Sequence, residues 1–352
     1  MNPTAPRRKS GIREVAAAAG VSVGTVSNVL NNPGLVSAGT REKVGRAMRE
    51  LDFVHNGQAH QPRAGLRAGR SPAVGVIVLD TANEFWTDVA QGVEDRLTAQ
   101  DLMMILCGTD GDATRQNRCA SMLEEHGVRG VLVAPAEPDL TALEEISARG
   151  TPVVLLGYAS RGGDMCSVAV DDVAGGRLAA AHLVAAGHRR IGLVNGPDSI
   201  RQCKDRRQGF RRAMTAAGLD PRTHLREQAI RGQASFRQID ARLAALLAHP
   251  SPPTAIACVS DNVALAVLRG LRTRGIRVPD DIALIGYDDL SYSSELDPPL
   301  TSVRQPRREL GRAAADLMLD EANDDHRHGQ IVFTPELVVR ASTAAVPYGS
   351  WA

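Results

Sequence analysis

The sequence lacks the motifs that mark most cofactor-dependent enzymes. No two of its glycines are spaced as Gly-x-Gly, so the dinucleotide-binding fingerprint is absent, and there is no Walker-type phosphate loop. It also has no His-Glu-x-x-His motif and no Cys/His cluster along the chain. The pair His326-Arg-His328 could ligate a metal weakly, but two histidines in a polar loop are more often simply solvated. We therefore expect neither a cofactor nor a metal site.

Paired cysteines and long apolar runs are absent as well. The five cysteines are widely spaced without a Cys-x-x-Cys pair, which favours reduced thiols in a cytosolic protein. They are Cys107, Cys119, Cys166, Cys203 and Cys258. No run approaches the length of a membrane span, and no apolar segment follows the basic residues 1–10. Residues 344–352 show no heptads, so a tail-mediated tetramer is not indicated. These absences predict a cytoplasmic protein.

Positive charge is concentrated at the beginning of the chain. Residues 1–71 contain 11 Lys and Arg against 4 Asp and Glu, whereas the net charge of all 352 residues is only +1. Lys and Arg neutralise phosphates and release counterions, so this asymmetry is typical of a nucleic-acid-binding module. A solvated basic tail would explain the charge but not the helical pattern found in the same region.

That pattern, over residues 12–30, predicts two short helices that meet at Gly20. Gly20 can adopt the left-handed conformation of the turn, and Ala16 is small enough for a close helix crossing. Ser22 is a natural N-cap for the second helix, whose first turn, from Val23 to Thr25, would point into a major groove. The pattern indicates a helix-turn-helix.

The segment from Gly20 to Gly24 also matches the Gly-x-Ser-x-Gly nucleophile elbow of hydrolases. An elbow needs a buried strand before the serine, whereas the residues from Ala16 to Ala19 favour a helix. We therefore reject a hydrolase that uses Ser22.

A third helix is predicted after residue 36, with Ser37 as its cap. Its apolar face is formed by Val44, Ala47, Met48 and Leu51. Three such helices can share one core. The stretches Val21–Asn31 and Val36–Leu51 resemble the headpiece of the lac repressor family of bacterial transcription regulators, and the resemblance continues through most of the chain.

The resemblance implies which side chains face DNA. Family members contact base edges from the positions of Val23, Gly24 and Asn28. Of these, only Asn28 has a hydrogen-bonding side chain, and it would suit an adenine. The other residues that we expect at the DNA surface are Ser22, Thr25, Ser27, Asn31 and Thr40.

A linker is predicted between this headpiece, at residues 11–55, and the body of the chain. Relatives form a hinge helix there and wedge a leucine into the minor groove. Counting forward from Asn56 places Pro62 at the wedge, where proline inside a helix would cost about 3 kcal/mol. Counting back from Ser71 places Leu66 there instead, with Pro62 near the first helical position. We predict Leu66 as the wedge, although proline itself can also act as one.

From Pro72 onward, short apolar strands alternate with amphipathic helices, which indicates parallel sheets with helical crossovers. Strands are predicted near residues 74–79, 102–107, 130–134, 153–156, 191–195, 227–230, 255–259 and 282–286. This part resembles the two-lobed, periplasmic-binding-protein-like (type I) sensor of the same family. The predicted fold class is thus a small all-α headpiece followed by an α/β sensor with parallel sheets.

The expected bounds follow from this fold. We predict a disordered N-terminus at residues 1–10, the linker at 56–71, the sensor at 72–345 and a tail at 346–352. We place the first lobe at residues 72–171 and 292–326, and the second at 172–291 and 327–345, with three crossings between them.

Ligands of open α/β sheets bind at the carboxyl ends of strands, and two facing lobes make a cleft there. Family members bind effectors from such positions, and the resemblance carries that role to Phe85, Trp86, Tyr158, Arg206 and Asp261. Aromatic rings can stack on a ligand, while an arginine fork and a carboxylate can bind hydroxyl or amine groups. Each residue also has an ordinary structural alternative, for example Asp261 as the N-cap of its helix.

Two further features of the sensor differ from the simplest pattern. Relatives often place an aromatic residue after the strand at 227–230, where this chain has Ala234, so that ring is missing or supplied by Phe236. The run Tyr287-Asp288-Asp289 ends a strand near the crossing between lobes, and we interpret it as structural rather than ligand-binding.

These patterns together predict a ligand-responsive transcription regulator, most simply a repressor, that binds a palindromic operator as a homodimer. Its effector would be sugar-like or nucleoside-like, and its place would be the cytoplasm, at the nucleoid. The alternatives are an enzyme on the α/β body, which the absence of a catalytic constellation disfavours, and a plain sugar-binding module, which the basic headpiece disfavours.

Overall fold

A computed structural model describes residues 11–31, 33–51, 71–158, 165–230, 235–321 and 326–343 of the chain. The chain forms two compact units, Met1–Gly69 and Arg70–Ala352. The predictions for residues 1–10, Pro62, Leu66, Ala234 and the tail lie outside the described residues. None of the described helices combines the length and the apolar character that a bilayer span requires.

The described part of the first unit folds into α1 (Ile12–Ala19), α2 (Val23–Asn31) and α3 (Ala38–Glu50), with a 3-10 turn at Pro33–Leu35. Gly20 has a φ of 66°, which confirms the predicted left-handed turn between α1 and α2. Each of the next two helices begins at a serine cap. The N–H of Thr25 donates to Ser22 Oγ at 3.0 Å, and the N–H of Thr40 donates to Ser37 Oγ at 3.3 Å.

One apolar core joins these three helices. Its buried members are Val15, Ala16, Val26, Val44 and Ala47. Helices of 8, 9 and 13 residues are marginal in isolation, so their stability depends on this shared core.

The second unit alternates strands and helices along most of its length. Its described strands are β1 (Ala73–Val78), β2 (Met103–Gly108), β3 (Val131–Val133), β4 (Val153–Leu156), β5 (Cys166–Val170), β6 (Ile191–Asn195), β7 (Leu225–Ala229), β8 (Ala255–Cys258), β9 (Ala283–Asp288), β10 (Thr301–Arg304), β11 (Gln330–Phe333) and β12 (Glu336–Val338). Its described helices are α4 (Glu84–Thr98), α5 (Ala113–Glu125), α6 (Thr141–Ala148), α7 (Asp172–Ala185), α8 (Arg201–Ala216), α9 (Pro221–His224), α10 (Phe236–Leu247), α11 (Asp261–Thr273) and α12 (Arg307–Asp320).

The strands form two sheets, and each sheet with its helices is one lobe. The first lobe has the strand order β11-β5-β4-β3-β1-β2, and all of its pairs are parallel. The second lobe has the order β12-β10-β9-β8-β6-β7 and is parallel except for β12, which runs antiparallel to β10. The predicted fold class, two α/β lobes with parallel sheets, is confirmed.

The bounds of the lobes differ from those predicted. Strand β10 pairs with β9, so the chain is still in the second sheet at residues 301–304, although Leu290 and Tyr292 pack against the core of the first lobe. Helix α12 then packs in the core of the first lobe, and β11 pairs with β5. The chain therefore crosses after Val170, after Arg304 and after Phe333.

Four strands were not predicted, namely β5, β10, β11 and β12. They are three to five residues long, and β11 and β12 expose part of their side chains at sheet edges. Strands β3, β4 and β8 are as short and were predicted, because each is a fully buried apolar run. Strands β10, β11 and β12 mix polar and apolar residues over too few positions to show an alternation, whereas β5 is a buried run that was missed.

Two glycines bring helices α7 and α8 into backbone contact. A Cβ on Gly176 would lie 2.0 Å from the carbonyl oxygen of Arg206, and one on Gly209 would lie 1.9 Å from that of Val173. Any larger residue would push the helices apart. This close crossing holds the backbone of Arg206 directly against α7. Arg206 in turn lines the cavity between the lobes.

Candidate functional site

The start of α2 presents an exposed surface in the first unit. Val23 is 43% exposed, and Ser22, Gly24 and Asn28 are also exposed. Thr25 is half-buried, and its hydroxyl lies 2.9 Å from Ser22 Oγ. The three residues predicted to reach base edges therefore lie on the outer side of the helix, away from the core residue Val26.

The other residues predicted to contact DNA are less exposed or lie at the ends of helices. Thr40 is half-buried, and its hydroxyl lies 2.9 Å from Ser37 Oγ at the start of α3. Ser27 is half-buried on α2, and Asn31 is the last residue of that helix. The side chain of Asn31 lies outside the described residues.

A cavity of about 490 Å³ lies between the two lobes of the second unit. It is bounded by the carboxyl ends of strands, where the fold predicts a ligand site. The residues that line it include Asp80, Asn83, Phe85, Trp86, Asp110, Gly157, Asp172, Gln202, Arg206, Ile230, Ser260, Asn262, Asp288 and Gln305.

Phe85 and Trp86 form an apolar wall of the cavity on the first lobe. Their rings meet edge to face, with centroids 4.9 Å apart, and the two residues are only 6% and 5% exposed. Asn83 caps α4, because its Oδ1 accepts the N–H of Phe85 at 3.0 Å. Both aromatic residues therefore lie in the first turn of the helix. The structure thus brings both predicted aromatics to the cavity, where they also belong to the apolar core.

Tyr158 is the predicted site residue that the structure places elsewhere on the first lobe. Tyr158 is not among the residues that line the cavity; it packs against the apolar cluster that contains Leu155, and Arg201 of the second lobe lies over its ring at 5.7 Å. Its neighbour Gly157 lines the cavity instead. The backbone, rather than the ring, reaches the site at this position.

Arg206 lines the cavity from the second lobe, as predicted, and is held from several sides. Its Nε donates to Asp172 Oδ1 at 2.7 Å, and its Nη1 donates to the carbonyl oxygen of Val259 at 2.7 Å. The guanidinium also stacks on Tyr287, with 3.6 Å between Cζ and the ring centroid. Burial alone would lower the pKa of Arg206, but Asp172 and its neighbours outweigh it and raise that pKa above its ordinary value.

Asp288 was interpreted from the sequence as structural, yet it lines the cavity at the end of β9. Its φ of 110° is a strained conformation, of the kind that clusters at functional sites. Gln305 Nε2 donates to its Oδ1 at 2.7 Å, and Arg206 Nη1 lies 3.7 Å from the same oxygen. Burial raises the pKa of Asp288 to about 8, although Arg206 and Gln305 favour the ionised form.

Asp261 is the opposite case, because it was predicted as a ligand residue and does not line the cavity. It is fully buried, and its Oδ2 accepts the N–H of Leu290 at 2.9 Å and the hydroxyl of Ser293 at 2.6 Å. Its Oδ1 accepts the hydroxyl of Ser302 at 2.7 Å. Burial raises the pKa of Asp261 to about 6. The carboxylate therefore joins α11 to the segments around β9 and β10.

Gln202 is a polar cavity residue that the sequence prediction missed. It is 9% exposed, and among the described residues its Oε1 has no hydrogen-bond partner. The only sequence signal was its position after Gly196-Pro197, which had already led to Arg206.

Phe236 does not replace the aromatic expected near Ala234, because Arg269 covers its ring at 4.1 Å, and Ile230 and Ile239 line the cavity there.

Comparisons with known proteins agree with this two-unit architecture. Residues 11–56 match the model for bacterial regulatory proteins of the lacI family, and residues 180–343 match the model for a periplasmic binding protein-like domain. The chain is 35% identical to the HTH-type transcriptional regulator DegA of Bacillus subtilis (strain 168), over 96% of this chain and 98% of that protein.

Solved structures give the same result. The transcriptional regulator CelR in complex with cellobiose is similar at a TM-score of 0.69 and 31% identity, covering 95% of this chain and 99% of that one. The lac repressor dimer bound to operator and the anti-inducer ONPF is similar at a TM-score of 0.74 and 28% identity, covering 96% of this chain and 100% of that one. The chain therefore belongs to the lacI family of bacterial regulatory proteins and is a transcription regulator, not an enzyme.

Proposed function

We propose that the protein is a homodimeric repressor that reads a palindromic operator with α2 and responds to a small carbohydrate or nucleoside in the cavity between its lobes. The observation that carries this proposal is the cavity itself, which combines an apolar wall with a small set of convergent polar groups. It is separate from the exposed surface of α2, so ligand and DNA would act on different parts of one chain.

The cavity's chemistry favours a neutral, hydroxyl-rich ligand. A volume of about 490 Å³ falls within the range of small-molecule sites and suits one or two sugar rings or a nucleoside. Phe85 and Trp86 supply the apolar wall, and Gln202 Oε1 supplies an acceptor for a ligand hydroxyl or amine. Arg206 carries a permanent charge but is largely engaged by Asp172, which argues against a strongly anionic ligand. The cellobiose complex of the similar regulator CelR fits this class.

Contacts between the lobes give the ligand a route to the rest of the molecule. Arg307 on α12 donates to Asp88 in the first lobe at 2.7 Å and to the carbonyl oxygens of Asp288 and Asp289 in the second lobe at 2.9 and 2.6 Å. Asp288 also lines the cavity. A ligand that binds one arrangement of the lobes more tightly would shift the population toward it, and in our proposal this changes the spacing of the two headpieces.

An exposed apolar edge supports the dimer. Strand β2 is the outer strand of the first sheet, and its Met103, Ile105 and Leu106 are 61%, 41% and 38% exposed. Proteins usually protect such an edge because it pairs readily with another chain. We propose that a second copy of this chain covers it.

Replacing Ile105 with lysine is expected to weaken dimerisation at least tenfold, because a charge would be buried against an apolar partner surface. Val332 lies on β11, at the opposite edge of the same sheet, and is 48% exposed, so Val332→Lys is a matched control. Analytical ultracentrifugation of both variants measures the dimer dissociation constant. Equal weakening in the two variants, or in neither, would place the interface elsewhere.

Replacing Asn28 with alanine is expected to weaken operator binding by about 1–3 kcal/mol, because Asn28 is the one hydrogen-bonding side chain among the proposed base readers. Affinity for random DNA should change little, because contacts with phosphates dominate the free energy of non-specific binding. Fluorescence anisotropy on operator and random duplexes at one salt concentration measures both. Equal losses on the two duplexes would refute base reading by Asn28.

The function as a whole is tested by sequencing genomic DNA captured by the purified protein, with Asn28→Ala protein as the control. We expect a few strongly enriched, roughly palindromic sites that the variant loses. Thermal shift measurements with monosaccharides, disaccharides and nucleosides then identify the ligand class, and the compound that raises the Tm should alter affinity for the captured sites. Capture without sequence enrichment would contradict the proposal.

A further inference from the structure

Four side chains with metal-ligating atoms converge in the first lobe, where β5 begins and α12 ends. They are Cys166, Glu321, His326 and His328, and their ligand atoms all lie within 4.8 Å of one another. None of them lines the cavity between the lobes. The cluster is thus separate from the cavity, and effector binding does not explain it.

The distances within the cluster fit a single small cation. Cys166 Sγ lies 3.2 Å from His326 Nε2 and 3.9 Å from His328 Nδ1. Glu321 Oε1 lies 3.4 Å from His326 Nε2 and 3.1 Å from His328 Nδ1. Tetrahedral zinc, with bonds of about 2.0–2.3 Å, places neighbouring ligand atoms about 3.3–3.8 Å apart. The four separations given above lie within about 0.2 Å of that range, and no two ligand atoms are more than 4.8 Å apart, so small side-chain shifts would give them the spacing around one tetrahedral zinc ion.

Groups outside the four ligands orient them as metal ligands are usually oriented. Asp320 Oδ2 lies 2.8 Å from His326 Nδ1, so the carboxylate holds the proton of the ring on that nitrogen and leaves the Nε2 lone pair facing the cluster. The N–H of Gly329 donates to Cys166 Sγ at 3.3 Å. A carboxylate behind a ligating histidine is a recurring feature of zinc sites.

We propose that Cys166, Glu321, His326 and His328 form a structural zinc site. One thiolate, two imidazoles and one carboxylate are ligands that zinc accepts, and four protein ligands leave no open position for a substrate or an activated water. The side chains of Glu321 and His326 are 10% and 7% exposed, and Cys166 is buried. His328, whose side chain is 37% exposed, closes the site on the solvent side.

The ion would fasten the connection between α12 and β11 to the sheet. Cys166 begins β5, and β11 pairs alongside it in the register Gln330–Ser167. The same strand β5 ends at Val170, which lines the cavity about 13 Å away at 3.3 Å per residue. Zinc and effector would therefore bind at opposite ends of one strand, and zinc would stabilise the lobe without touching the ligand.

The test uses untagged, full-length protein treated with a chelator and then titrated with Co²⁺ as a spectroscopic probe. We expect one equivalent to bind, with the intense visible bands of tetrahedral Co²⁺ and a near-ultraviolet thiolate-to-metal band. Zn²⁺ should displace Co²⁺ and raise the Tm by several degrees. Elemental analysis of the zinc-loaded protein should give one zinc per chain.

Variants separate this site from other thiols and from a merely hydrogen-bonded cluster. Cys166→Ser should abolish the thiolate band, whereas Cys119→Ser, at a half-buried cysteine outside the cluster, should keep it. Asp320→Asn should keep the spectrum but weaken Co²⁺ binding about 10–100-fold. If Cys166→Ser does not fold, His328→Asn provides the same test through loss of the tetrahedral spectrum. A thiolate band that survives Cys166→Ser, a tetrahedral spectrum that survives His328→Asn, or no tetrahedral spectrum in the parent protein would overturn the assignment.

Discussion

Replacing Asp261 with alanine is expected to lower the free energy of unfolding of the second unit by at least about 3 kcal/mol, with ligand recognition lost only as a consequence. The carboxylate is fully buried and accepts hydrogen bonds from Leu290, Ser293 and Ser302. Each buried donor that loses its acceptor costs about 1–3 kcal/mol, and alanine leaves three of them unpaired.

Urea unfolding of the parent and of Asp261→Ala measures the loss. Asp297→Ala is the control, because the side chain of Asp297 is 98% exposed and its removal should change stability by less than about 0.5 kcal/mol. Asp261→Asn should be intermediate, since the amide keeps one acceptor oxygen but replaces the other with a donor. A stable Asp261→Ala protein that fails only to respond to its ligand would instead restore the role predicted from the sequence.

Asp261 and Asp288 show which part of the site the sequence could reveal. Asp261 follows β8 and Asp288 ends β9, so their position near the cleft was predictable from the fold. Their orientation was not, because Asp261 is turned by Ser302, 41 residues further along the chain. The carboxylate of Asp288 reaches the cavity through a strained φ that no local pattern encodes.

The same distinction applies to the fold. The turn at Gly20 and the caps at Ser22 and Ser37 are local features, and the structure confirms each of them. Strand β10 belongs to the second sheet because it pairs with β9, and β11 belongs to the first sheet because it pairs with β5. Both partner strands lie elsewhere in the chain. Neither β10 nor β11 was predicted from its own residues, so the sequence of residues 292–333 could not indicate the lobe to which each strand belongs.

The metal cluster depends on both a local sequence pattern and a pairing between distant segments. His326 and His328 were visible as a pair, and solvation was the simpler interpretation of two histidines in a polar segment. Cys166 lies 160 positions before His326, so no spacing rule connects them. Only the parallel pairing of β5 with β11 brings the thiol to the histidines.

The buried charges around Arg206 predict that stability falls as the pH rises from about 6 to 8. Asp172 and Asp288 are two carboxylates that share one guanidinium, so one of them is favoured in its neutral form. Asp288 is the group whose pKa is raised to about 8, mainly by burial, whereas an exposed aspartate titrates near 4. The folded state therefore holds a proton that the unfolded state has already released.

The sign follows from this difference in bound protons. Because the folded pKa of Asp288 lies above the unfolded value, its contribution to stability is complete below about pH 4 and is lost as the pH rises through 8. Between pH 6 and 8 the expected slope is at most about 1.4 kcal/mol per pH unit. Asp261, with a pKa of about 6, adds to the loss mainly at lower pH.

Asp288→Asn should remove this slope, because the amide resembles the neutral acid and does not titrate. Urea unfolding at pH 6, 7 and 8 measures the difference between the parent and the variant, which cancels the titration of histidines common to both. Asp297→Asn, at the exposed aspartate, should retain the parent slope. If Asp288→Asn shows the same pH dependence as the parent, the buried proton resides on another group, and Asp172, whose pKa burial also raises, is the next residue to substitute.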